Sequence, residues 1–112
     1  MIDSYSFGHV KINGKVYTSD VIIYPERINS SWWRKEGHNL CMDDIQEIIE
    51  YKPEILVIGK GTPGLMRVSP NVQREIEAQG IGVYIAKTAA AVEHYNTIYK
   101  IKKAVAALHL TC

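Results

Sequence analysis

The chain has 112 residues, 46% of them hydrophobic and 22% charged, with a formal net charge of +1. That length suits one domain, residues 1–112, with a single buried core. The near-zero charge lacks the basic excess from which nucleic-acid binders draw most of their affinity. Two cysteines are too few for a disulfide framework, and the longest apolar runs, about five residues, fall far short of the ~20 that span a membrane. The opening residues Met1 to Tyr5 show no basic or apolar leader region. The expectation is a cytoplasmic protein with reduced thiols, no nucleic-acid partner and no membrane partner.

Residues 5–24 read as a β-hairpin. Tyr5 to Ile12 leads into Asn13-Gly14, two residues that tolerate the positive φ of a type I′ turn, and Lys15 to Tyr24 returns. In the second strand Val16, Thr18, Asp20 and Ile22 share one face, and Tyr17, Val21 and Ile23 the other. Pro25 closes the strand. Residues 28–33 fit a third strand, and polar residues 34–39, with Gly37, a loop. Asp43 is placed to cap a helix, with Gln46 three residues on as in a capping box. Ile45, Ile48 and Ile49 form its apolar face, and Pro53 stops it.

From residue 54 the pattern is βαβαβ. Ile55-Leu56-Val57-Ile58 is a short run of the kind buried on both faces in a parallel sheet. Ser69-Pro70 starts a helix with Val72 and Ile76 inward, and Gly80 suits its end. Residues 82–86 form the next strand. Thr88 is placed to cap a helix that turns Val92, Tyr95 and Ile98 or Tyr99 inward. Residues 104–110 form the last strand. Alternating strands and helices imply parallel pairing through right-handed crossovers.

Gly59-Lys60-Gly61-Thr62-Pro63-Gly64 matches G-x-G-x-x-G after a predicted strand, but its context departs from the dinucleotide fingerprint. Leu65 to Val68 separate it from the next helix cap, and Lys87 stands where an acidic residue would hold the ribose. Leu65 and Met66 also rule out a Walker A loop. A weaker reading survives, because ligands of open α/β sheets bind beyond the carboxyl ends of strands. Gly59, Lys60, Gly61, Thr62, Lys87 and Thr88 would meet there and suit a small phosphate- or carboxylate-bearing ligand. A second candidate is Trp32, Trp33 and Arg34 with His38. Adjacent tryptophans on a strand face opposite ways, which leaves two readings open: one is partly exposed as an interface anchor, or one fills the core and the other packs under a loop.

His38-x-x-Cys41 has ligand-like spacing, but no second compact pair completes a zinc set; His9, His94, His109 and Cys112 are scattered. No metal or cofactor is expected. Cys41 reads as a small buried hydrophobe, and Cys112, beside a carboxylate, as a poor nucleophile. Asp43-Asp44 fits a helix start, and Lys100, Lys102 and Lys103 a solvated face.

Along nearly its whole length the chain resembles the adipogenesis-associated Mth-like domain family. The resemblance is carried by Phe7-Gly8, Trp33-Arg34 with Gly37 and His38, Leu56-Val57-Ile58-Gly59-x-Gly61, Gly80-Ile81, Thr88 with Ala91-Val92 and Tyr95-Asn96, and His109, Thr111 and Cys112. It implies an α/β (α+β) fold of three layers, β/β/α, with an N-terminal hairpin sheet packed on a small βαβαβ half. It implies no established catalysis or cofactor. Relatives include the mitochondrial complex I assembly factor 3, which points to protein-binding work. The expectation is therefore a non-catalytic interaction or assembly module that binds a protein partner or itself. The alternative is a small-anion binder or enzyme using the Gly59–Gly64 loop.

Overall fold

In the computed structural model, which describes residues 1–112, the first seventeen residues make a three-stranded meander: β1 (Ile2–Ser6), β2 (His9–Ile12) and β3 (Lys15–Tyr17). Asn13 and Gly14 have φ of 48° and 85°, the positive pair that a type I′ turn needs. A second turn at Phe7-Gly8 makes β1 a strand of its own. The predicted single hairpin over 5–24 is thus corrected. The chain leaves the small sheet after Tyr17, and β4 (Val21–Ile23) joins the other sheet. The reason is burial. Val21, Ile22, Ile23 and Tyr24 are all enclosed, which suits a strand covered on both faces.

The main sheet has the order β5-β4-β8-β6-β7, with β5 (Ile28–Asn29), β6 (Ile55–Lys60), β7 (Gly82–Ala86) and β8 (Ala104–His109). β6 runs parallel to both β7 and β8, and β4 is antiparallel to β8, pairing Val21 with Leu108. β5 is far shorter than the predicted 28–33 strand. Asn29 Oδ1 accepts from the Ser31 amide at 3.0 Å, a local turn that competes with the ladder.

The helices are α1 (Gln46–Tyr51), α2 (Pro70–Ala78) and α3 (Thr88–Ile98). The chain steps from β6 to β7, then back past β6 to β8, so right-handed crossovers set α2 and α3 on opposite faces. Two apolar clusters of thirteen buried residues each follow. One joins Val57, Ala106 and Leu108 to Ile2, Val10 and Ile12 of the small sheet and to Val92 and Tyr95 of α3. The other joins Leu56, Ile58 and Ala107 to Ile45, Ile48 and Ile76. At roughly 1.5–3 kcal/mol for each fully buried Ile or Leu, this two-sided core explains a 112-residue fold that uses no disulfide. The result is the three-layer β/β/α arrangement, with α3 sharing the small sheet's layer through Asn96, whose side chain bonds both the amide and the carbonyl of Ile2.

Ser69 caps α2 as predicted, its Oγ accepting from the Val72 amide. The start of α1 is different. A 3-10 turn (Met42–Ile45) precedes it with Cys41 at the cap position, and Asp44, not Asp43, reaches back from the third residue of the turn to accept from the amides of Cys41 and Lys35. Asp43 is exposed and pairs with Lys35. No helix is long and apolar enough to cross a membrane.

Candidate functional site

The carboxyl ends of β6 and β8 are where the two predicted groups of residues meet. Side chains of a strand alternate between faces. His109 and Lys60 therefore follow Ala107 and Ile58 onto the face that bears α1 and α2, and the two are sheet partners. Loop 30–41 and loop 61–69 cover this end. They are tied together where the Leu40 amide donates to the Arg67 carbonyl and the Arg67 amide to the His38 carbonyl.

The glycine loop is occupied by the chain itself. The Gly61 amide donates to Thr88 Oγ1 at 2.8 Å, the Thr62 amide to the Thr111 carbonyl at 2.7 Å and the Leu65 amide to a Cys112 oxygen at 3.1 Å. Gly61 has φ +98°, and a Cβ there would lie 2.6 Å from the Cys112 carbonyl carbon. Gly59 is required for a different reason: a Cβ would stand 2.8 Å from Thr88 Oγ1. These glycines admit the 111–112 segment and α3, and the amides expected to face an anion are spent on them. Thr88 does not cap its helix as predicted. Its buried hydroxyl donates to the His109 carbonyl at 2.6 Å and accepts from Gly61, locking α3 to both strands. The Thr62 hydroxyl bonds Tyr5. Lys87 is exposed, with its stem against Gly64.

Lys60 is half-buried and opens onto a cavity of about 400 Å³, lined also by Asn39, Gly64, Met66, Arg67, Val68, Ser69 and Pro70. Among the predicted ligand residues only Lys60 lines it. Asn39, Arg67 and Ser69 were not foreseen, because the approach of loops 30–41 and 61–69 has no local signature.

Trp32 and Trp33 lie on a loop, not a strand, so strand alternation is not what separates them. Their burial nevertheless differs. Trp32 is buried and its indole N–H donates to the Asp44 carbonyl at 2.9 Å, whereas Trp33 is 74% exposed. Arg34 turns inward. Its side chain is 5% exposed, its guanidinium lies over the Trp32 ring, and its Nη1 is 2.9 Å from Asp20 Oδ2. Asp20 Oδ2 is also 2.7 Å from His109 Nδ1, and Asp20 Oδ1 accepts from the Leu110 amide at 2.8 Å. Burial alone would raise the Asp20 carboxyl; the hydrogen bonds from His109 and Leu110, with Arg34 alongside, outweigh it and hold the group below the usual carboxylate range. Arg34 Nη2 also lies 3.0 Å from His109 Nδ1, but that nitrogen carries one hydrogen at most, and the carboxylate claims it. Arg34 Nη2 donates instead to the Gly37 carbonyl. His109 Nε2 is then buried without a partner. No hydroxyl or thiol of the chain lies within bonding distance of it.

His38 is exposed, its ring edge-on to His109 at 6.2 Å between centroids. The Cys41 thiol, half-buried, donates to Asp44. No group of three or more metal-ligating side chains converges.

Solved structures with the same architecture include a conserved hypothetical protein of Pyrococcus horikoshii, 25% identical over 100% of this chain and 99% of that one, with a TM-score of 0.84. A Bordetella parapertussis protein is 25% identical over 96% and 92%, with a TM-score of 0.79. A Bordetella pertussis protein described as a Mth938-like domain is 20% identical over 98% and 85%, with a TM-score of 0.76. Residues 2–110 match the model of a protein family of unknown function (DUF498/DUF598). A match over nearly the whole chain, together with the fold shared with the Mth938-like domain, makes this protein a member of the DUF498/DUF598 family.

Proposed function

We propose that the protein is a non-catalytic interaction module that docks a protein partner through Trp33. The observation that carries this reading is Trp33 itself. It is 74% exposed, while its neighbours Trp32 and Arg34 are buried and bonded on either side. An indole fixed by its backbone loses little freedom on binding, which favours it as an anchor.

The surroundings support the same reading. Five large hydrophobic side chains are exposed: Phe7, Val16, Trp33, Leu65 and Ile101. Three of them lie in segments tied to residues 109–112. Gly8, next to Phe7, donates its amide to the Leu110 carbonyl; Leu65 donates to Cys112; Arg34, next to Trp33, shares the Asp20 carboxylate with His109. Lys60, Lys87 and His38 stand at the same end of the sheet and favour a partner with acidic side chains around an apolar centre. The reading takes the protein as cytoplasmic and assembly-factor-like, with self-association as one form of the same docking.

Quantitative affinity capture tests this with the wild-type chain, Trp33→Ala and Ile101→Ala. Ile101 is equally exposed but lies just before β8, at the opposite end of the sheet. The expected result is a set of partners lost with Trp33→Ala and retained with Ile101→Ala. Identical partner sets from all three, with unchanged sedimentation, refute it.

A further inference from the structure

We infer that the cavity between loop 30–41 and the start of α2 is a binding site for a small phosphomonoester. At about 400 Å³ it is the largest of four surface cavities, and it falls in the range of small-molecule sites. Its lining holds two cations, Lys60 and Arg67, and no carboxylate. Neither cation takes part in any ion pair of the chain, although Arg27, Arg34 and Lys35 each have one. Two like charges facing one concave space repel each other, and an anion placed between them removes that repulsion.

The neutral lining is rich in donors. Ser69 Oγ accepts from Val72, which leaves its hydroxyl hydrogen free to donate outward. Asn39 also lines the space, and the Val68 and Ser69 amides donate to nothing within the chain. The Lys87 stem packs on Gly64, one of the lining residues. A planar guanidinium, a point-charge ammonium, a hydroxyl and backbone amides form a set that matches the several oxygens of a phosphate better than the two of a carboxylate. Met66, Val68 and Pro70 supply apolar wall for the organic part of the ligand.

This site differs from the one expected at Gly61 and Thr88, whose polar groups are engaged by the chain. It also does not depend on Trp33, so either reading can fail alone.

The test is a ¹H–¹⁵N NMR titration of the whole chain at low salt, using phenyl phosphate as the phosphomonoester probe and succinate as the comparison. The expected result is saturable movement of the Lys60, Val68 and Ser69 amides with phenyl phosphate and at least tenfold weaker response to succinate. Arg67→Gln and Lys60→Gln should each weaken phenyl phosphate binding about tenfold or more. Lys102→Gln, an exposed charge near the opposite end of the sheet, should leave it unchanged; the spectra themselves report whether each variant is folded. Equal response to succinate, equal binding by the Lys60 and Arg67 variants, or shifts centred on Lys100, Lys102 and Lys103 would overturn the proposal.

Discussion

Replacing Asp20 by Asn isolates the buried polar cluster that holds loop 30–41 against β8. Asp20 receives the Leu110 amide at 2.8 Å and His109 Nδ1 at 2.7 Å, and pairs with Arg34 at 2.9 Å. Asparagine keeps one acceptor oxygen but not the charge. Arg34, with a side chain 5% exposed, is then a buried cation without a counter-charge. Leaving one partner of a buried pair unmatched costs about 3–5 kcal/mol. For a domain of this size that lowers the melting temperature by roughly 12–20 °C, at about 4 °C per kcal/mol. The pH dependence carries a second signature. The folded-state pKa of Asp20 is depressed, so its contribution is fully present above the unfolded-state value of about 3.9 and is lost as pH falls through the folded value. Thermal unfolding followed by circular dichroism should show a gap between wild type and Asp20→Asn that is constant from neutral pH down to about pH 5 and narrows only below the ordinary carboxylate range. Asp20→Asn combined with Arg34→Met should recover much of the loss, because an apolar replacement of both partners leaves no buried charge. A loss below about 1 kcal/mol for Asp20→Asn, or a double variant as unstable as the two single losses added, would refute the reasoning.

Trp32→Ala should cost about 3–5 kcal/mol by denaturant unfolding, whereas Trp33→Ala should stay within about 0.5 kcal/mol, since only Trp32 is buried. Gly14→Ala and Gly61→Ala both place alanine at positive φ, but Gly14 has open space and Gly61 meets Cys112. Gly14→Ala should lose about 1 kcal/mol, with Gly61→Ala losing about 1–3 kcal/mol more in the same assay. Thr88→Val keeps the shape but removes a hydroxyl that serves two backbone groups; hydrogen exchange at the Gly61 amide should accelerate, with a global loss of about 1–3 kcal/mol.

The βαβαβ half and the turn between β2 and β3 were legible because their signals are local. The 55–58 run, the Ser69-Pro70 cap and the Asn13-Gly14 turn each state their structure within a few residues. What sequence reading missed depends on distant partners. The strand expected from Lys15 to Tyr24 is divided between two sheets, and only the break at Ser19-Asp20 hints at it. Asp20 meets His109 across 89 positions, and no spacing rule joins them. The G-x-G pattern was visible, but its cause was not. Its space is filled by residues 111–112 rather than by a ligand, and that packing exists only once β6 and β8 are side by side. Thr88 illustrates the same limit: its position before a helix predicts a cap, yet tertiary bonds to Gly61 and His109 take its hydroxyl.

The central claim is that Trp33 is a docking anchor, and site-specific photocrosslinking tests it most directly. A benzophenone side chain placed at residue 33, and in a parallel sample at residue 101, is irradiated in cells that produce the protein. The account predicts a discrete crosslinked species of one added mass from position 33, absent at position 101. No discrete adduct at 33, or the same adducts at both positions, would contradict it.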